Sequence, residues 1–127
     1  MHADTAQLNE LSGRVIGCAF DVQNTLGIGF LEKVYQNALA LELQAAGLAM
    51  AQHHPVIVRY KNIVVGEYFA DLLIEEILLV ELKVVRALDQ THQMQCINYL
   101  KATGLRLCLL LNFGTPRLEI KRVANGM

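Results

Sequence analysis

The stretch from Asp71 to Lys83 constrains this chain more than any other. Leu72 to Ile74 and Ile77 to Val80 are wholly apolar, and Leu82, Val84 and Val85 extend the second run. Such near-continuous runs suit two central strands covered on both faces and folded back on each other around Glu75 and Glu76. Asp71, Glu81 and Lys83 interrupt them where burying charge is costly.

Alternation along a strand puts Glu81 and Lys83 on one face. Whether Asp71 joins them depends on the turn. A two-residue loop at Glu75-Glu76 pairs Asp71 with Val80 and sends Asp71 and Glu81 to opposite faces. A one- or three-residue loop, or one bulge, corrects the parity. With three residues Asp71 lies opposite Glu81, their Cβ atoms about 5 Å apart, close enough for both carboxylates to hold one hard cation. The expected hairpin therefore has odd effective length. The structural alternative makes these residues charges at strand ends, or a buried ion pair between Glu81 and Lys83.

Asp71, nine intervening residues and then Glu81-Leu82-Lys83 on an apolar strand resembles the core of the PD-(D/E)XK nuclease superfamily. Ala70 stands where that name has Pro, a residue that does no chemistry.

At 127 residues the chain fits one domain, 1–127. It is apolar for its size, with 54% hydrophobic residues and a mean hydropathy of +0.33. No run approaches the roughly 18 apolar residues of a membrane span, so the excess implies a self-association face and a homodimer. Met1-His2-Ala3-Asp4 lacks the basic and apolar regions of a signal peptide, which implies a cytoplasmic protein. Cys18, Cys96 and Cys108 have no metal-ligand or redox spacing and read as reduced core thiols. A net charge of −1 argues against a strongly basic nucleic-acid coat. It leaves room for a local patch built from Arg59, Lys61, Arg86, Lys101, Arg106, Arg117, Lys121 and Arg122.

Along the chain, Leu8, Leu11, Val15, Cys18, Ala19, Val22 and Leu26 recur at helical spacing and predict an amphipathic helix over about Gln7 to Thr25. Gly27 and Gly29 break it, and a second helix is expected from about Leu31 to Ala46 with Gly47 as its stop. Glu32 and Tyr35 share a face of that helix, and a first-turn carboxylate is explained by the positive helix end alone. His53-His54-Pro55 reads as a connection; adjacent histidines on an extended segment point apart and make a poor metal pair. Val56 to Lys61 and Ile63 to Ile74 read as strands around a Lys61-Asn62 turn, with Gly66 a candidate bulge that could adjust the register at Asp71. Asp89 is a plausible N-cap for a helix reaching Thr103, stopped by Gly104. Leu105 to Phe113 and Leu118 to Val123 are further strands, the last at an edge. Two helices, three strands, a helix and two strands indicate an α/β (α+β) domain with one mixed central sheet flanked by helices.

The G-F-L-E-K-V-Y stretch from Gly29 to Tyr35, followed by Q-N-A-L-A-L-E-L, the Asp71 hairpin, Q-C-I-N-Y-L-K and L-L-N-F-G, resembles the GxxExxY proteins, a branch of the same superfamily. That resemblance spans about Leu11 to Arg122. It implies a restriction-endonuclease-like fold and phosphodiester hydrolysis in DNA or RNA. It further implies that Asp71, Glu81 and the Leu82 carbonyl hold a metal, that Lys83 orients or activates water, and that Glu32 holds the metal's waters or a second ion. Gln95 matches the glutamine that related nucleases carry on the helix after Glu-x-Lys, near the site; an exposed polar helix face explains it equally. Oxygen ligands without clustered Cys or His favour Mg²⁺ or Mn²⁺ over Zn²⁺. Two competing readings share the fold: a catalytically silent binding or assembly module, and a hydrolase of small phosphate esters.

Overall fold

Leu8, Leu11, Val15, Cys18, Ala19 and Val22 form the buried stripe of helix α1 (Thr5–Leu26), whose N-cap Asp4 accepts from the Gln7 amide at 2.7 Å. The computed structural model describes residues 4–126; Met1 to Ala3, read above for a leader, lie outside them. The connection after α1 turns at Gly27 and Gly29, both at positive φ, conformations open to glycine at little cost. Helix α2 (Glu32–Ala45) then presents Tyr35, Leu39 and Leu43 to the same core.

A five-stranded sheet follows in the order β1 (Met50–Tyr60), β2 (Ile63–Ile74), β3 (Leu78–Lys83), β4 (Leu107–Asn112), β5 (Glu119–Ala124), with α3 (Gln90–Thr103) crossing between β3 and β4. The β3–β4 pair is parallel and the others antiparallel, giving the expected mixed sheet. Leu78, Val80, Leu82, Leu107, Leu109 and Leu111 pack against α1 and α2, while Leu79, Cys108 and Leu110 pack against Cys96, Tyr99 and Leu100 of α3. Both faces of β3 and β4 are thus covered, which is why their sequences are apolar throughout. Cys18, Cys96 and Cys108 are free and buried.

Three registers differ from, or refine, the sequence reading. First, β1 begins at Met50, so His53-His54-Pro55 lies within a strand rather than a connection. The physical reason is that β1 is an edge strand, where Pro is tolerated. Second, Leu72, Leu73 and Ile74 pair with Val80, Leu79 and Leu78, so the hairpin loop has three residues, one of the odd-length solutions that the parity argument left open. Third, the bulge in the β1–β2 pair falls between Val58 and Arg59, beside Gly66, and leaves the Asp71 end in register. The β1 and β2 strands run 11 and 12 residues against six for each other strand. Since β3 pairs with β2 only over Leu72–Ile74, the remainder of that hairpin extends beyond the sheet as a two-stranded arm.

Candidate active site

The sheet opens at Asp71. Strand β3 keeps its partner β4 as far as Lys83 opposite Asn112, but its pairing with β2 ends at Leu72–Val80. Ala70 packs with the α3 cluster and Leu72 with the α1–α2 cluster, although two residues apart on one strand they should share a face. Strand β2 therefore turns over at Asp71, and across from it His53, at φ 55, drops out of the β1 register. Side chains replace the missing ladder. The Asp71 amide donates to Glu81 Oε2 at 2.6 Å, and the Leu82 amide donates to Asp71 Oδ2 at 2.8 Å. Each carboxylate thus satisfies a backbone donor that the splayed strands leave over, and the two acids face each other across the gap.

Because the site lies where the strands part, helices on both sides of the sheet reach it. From α2, Glu32 stands near enough to Asp71 and Lys83 to be influenced by both. Burial raises the Glu32 pKa first, then the Asp71 charge, partly offset by Lys83. Gln36, one turn on and 3% exposed, donates to the Asp71 carbonyl at 3.2 Å. Tyr35 fixes this helix: its hydroxyl donates to the Gly27 carbonyl at 2.7 Å and accepts from the Phe30 amide, while its ring stacks on Phe113 at 4.9 Å. Gly29, Glu32 and Tyr35 thereby acquire separate physical roles: a turn, a carboxylate beside Asp71 and an anchor.

Glu81 is 3% exposed. Burial, and next the Asp71 charge, push its pKa up to about 9 against the pull of the Asp71 amide and Lys83. Lys83 is half-buried on the same strand, and no Lys83–Glu81 contact within 4.0 Å closes the ion pair of the structural reading. From α3, Gln95 donates to the Tyr99 hydroxyl at 3.3 Å, and the Tyr99 pKa is raised to about 12 by burial first and then by Glu81 and Asp71. Gln95 thus stands on the α3 side, bonded to a tyrosine that is influenced by both carboxylates. Beyond Lys83 the chain is pinned by Asn112, wholly buried, whose side chain accepts from the Val85 amide at 3.0 Å and donates to the Val85 carbonyl at 2.9 Å.

Sequence reasoning missed Gln36, Tyr99 and Asn112. Their local signals, a polar residue on a helix, an aromatic at its edge and an Asn ending a strand, have commoner explanations. The expected cationic patch is also dispersed. Arg122 bonds Ser12 and Asn9 on α1, Lys61 sits over the Tyr60 ring, and Arg59 and Lys101 line a groove beside α3. His53 Nε2 meets Lys33 Nζ at 2.7 Å.

Among the described residues no three His, Cys, Asp or Glu side chains are grouped to hold a metal. The pair Asp71 and Glu81 nevertheless fits a hard divalent cation. Both are oxygen donors, they face each other, and burial with the nearby Asp71 charge leaves the Glu81 charge under-compensated.

A mixed-sheet α+β domain with an acidic pair and a lysine at a strand divergence defines a nuclease-like class. The chain belongs to the PD-(D/E)XK nuclease superfamily, whose sequence profile matches residues 9–123. Among solved structures it is similar in fold to SSO0001, at 15% identity and a TM-score of 0.54, covering 75% of this chain and 50% of that one. The chain therefore spans half the length of that protein. It also matches an alkaline exonuclease (LHK-Exo) from Laribacter hongkongensis at 12% identity and a TM-score of 0.46, covering 98% of this chain and 72% of the other. No curated protein matches the chain.

Proposed function

We propose that this chain is a divalent-metal-dependent nuclease that hydrolyses phosphodiester bonds, of the GxxExxY branch, acting as a homodimer in the cytoplasm. The observation that carries this reading is the pair of facing carboxylates at the strand divergence, with Glu81 buried and its charge poorly compensated. Asp71 and Glu81 would hold Mg²⁺ or Mn²⁺, with the Leu82 carbonyl completing the protein donors. When bound, such an ion would neutralise charge at the phosphate and lower the pKa of a water toward neutrality. Lys83, flanking the pair, orients the attacking water and balances charge as the new oxygen–phosphorus bond forms and the leaving oxygen departs. Glu32, near Asp71, would hold the metal's waters or a second ion, and Gln95 would position water or substrate from α3.

An open groove running from Gln95 and Tyr99 favours a polymer over a small phosphate ester. Exposed Ile63, Val64 and Phe69 on the arm and Phe30 and Leu31 before α2 support self-association. The three free thiols suit a reducing compartment, and no helix among the described residues is long and apolar enough to cross a membrane. Incubation with single-stranded, duplex and branched nucleic acids, with and without Mg²⁺ or Mn²⁺, tests the reading. Metal-dependent cleavage that Asp71→Asn abolishes is expected. Binding without cleavage by the parent chain would leave the silent-module reading in its place.

A further inference from the structure

Strand β1, strand β2 and α3 enclose a groove of about 1120 Å³, and of its lining residues the chemistry above uses Gln95 alone. On the helix side Thr91, Met94, Asn98 and Lys101 recur at intervals of three and four residues, so one stripe of α3 borders the groove along its length. That stripe spans roughly 15 Å at 1.5 Å per residue, or about four nucleotides at the 3.4 Å repeat of a stacked strand. On the arm side, Ile57, Val58 and Arg59 line it, with the strand bulge falling between Val58 and Arg59. Gly66 keeps the floor low: a Cβ there would touch the Tyr68 ring at 3.6 Å and the Val58 Cβ at 3.8 Å.

We propose that this groove binds an unpaired nucleic-acid strand and leads it to Asp71 and Glu81. The destination rests on the nuclease reading; the binding does not. Tyr68 is 54% exposed, tilted against Tyr99 with ring centroids 5.9 Å apart, and adjoined by Val58 and Met94. This apolar and aromatic floor offers stacking to any base face. Arg59 and Lys101 are the cations of the groove, on a chain of net charge −1. A duplex turns phosphates outward and hides its base faces, so two cations and a stacking floor serve it poorly. An unpaired strand can lay bases on Tyr68 while its phosphates meet Arg59 and Lys101. Continuity with the site comes from Gln95 and Tyr99, which line the groove and are themselves joined by a hydrogen bond.

Fluorescence anisotropy in EDTA, with a labelled oligothymidylate and a hairpin duplex of equal charge, tests this. The single strand should bind more tightly than the duplex. Tyr68→Ala should weaken its binding roughly tenfold, the loss of one stacked base, while Tyr68→Phe retains it. Lys101→Ala should lower the slope of log affinity against log salt by about 0.7. Asp71→Asn should bind the strand at least as well as the parent yet fail to cleave it. Equal binding of duplex, or unchanged binding by Tyr68→Ala, overturns the proposal. So does a parent that ignores both probes while Tyr68→Ala halves its mass in light scattering, because the groove is then a contact between copies. Parental kcat/KM in Tyr68→Ala removes the groove but leaves the nuclease; strand binding lost in Tyr68→Ala, with no cleavage by any form, keeps the groove and removes the nuclease.

Discussion

Replacing Glu81 with Gln should stabilise the metal-free protein at neutral pH. The side chain is 3% exposed, and its pKa is pushed from an ordinary 4.5 to about 9 by burial and then by Asp71. The folded protein therefore keeps a proton that the unfolded chain releases above about pH 4.5, so stability falls as pH rises from there toward 9. By pH 7 the two and a half pH units above the ordinary value amount to about 3 kcal/mol, at 1.36 kcal/mol per unit. Gln carries no charge and can still accept from the Asp71 amide, the bond made by Glu81 Oε2. Glu81→Gln should thus raise the Tm at pH 7 by on the order of 10 °C, with the gain vanishing below about pH 4.5. Adding Mn²⁺ should narrow the difference from above, because a ligand that binds only the native parent stabilises it by mass action. Calorimetric melts from pH 4 to 8.5 with and without Mn²⁺ would measure both. A variant less stable than the parent at pH 8, or a gap that does not change with pH, would refute the reasoning.

The other expectations concern neighbours of that pair. Glu32→Gln should strongly reduce metal-dependent cleavage while changing stability by no more than about 1 kcal/mol, the size of a helix-end charge effect; unchanged turnover with a lowered Tm would mark a structural role. Lys83→Ala should bind Mn²⁺ in calorimetry at least as well as the parent but cleave about 10²–10⁴-fold more slowly. Gly114→Ala should cost about 1–3 kcal/mol by urea unfolding, since its Cβ would lie 2.5 Å from the Val85 nitrogen and oxygen; a neutral result would mean that the chain after Lys83 moves freely.

Much of the site was legible because its constraints are local. Three unexpected charges in apolar strands, together with strand parity, led to a hairpin of odd effective length with Asp71 facing Glu81, which a three-residue loop provides. Gly29, Glu32 and Tyr35 were readable as a turn and a helical face. What the sequence concealed is long-range. Nothing around Asp71 announces that β2 turns over there, because the event depends on α2 and α3 packing on opposite faces of the sheet. Gln36 looks like any polar helix residue until its partner, the Asp71 carbonyl 35 positions away, is in place. Asn112 likewise gains meaning from Val85, 27 positions distant. The start of β1 was misjudged because Pro55 argues against a strand unless its edge location is known.

The central claim is that Asp71 and Glu81 are a metal pair. Crystals soaked in Mn²⁺ and measured at the manganese edge test it most directly. The account predicts an anomalous peak between the two side chains, within about 2.0–2.3 Å of an oxygen from each, and loss of that peak in Glu81→Gln. At saturating Mn²⁺, a gap with no peak, and with both carboxylates still bonded only to the Asp71 and Leu82 amides, would contradict it.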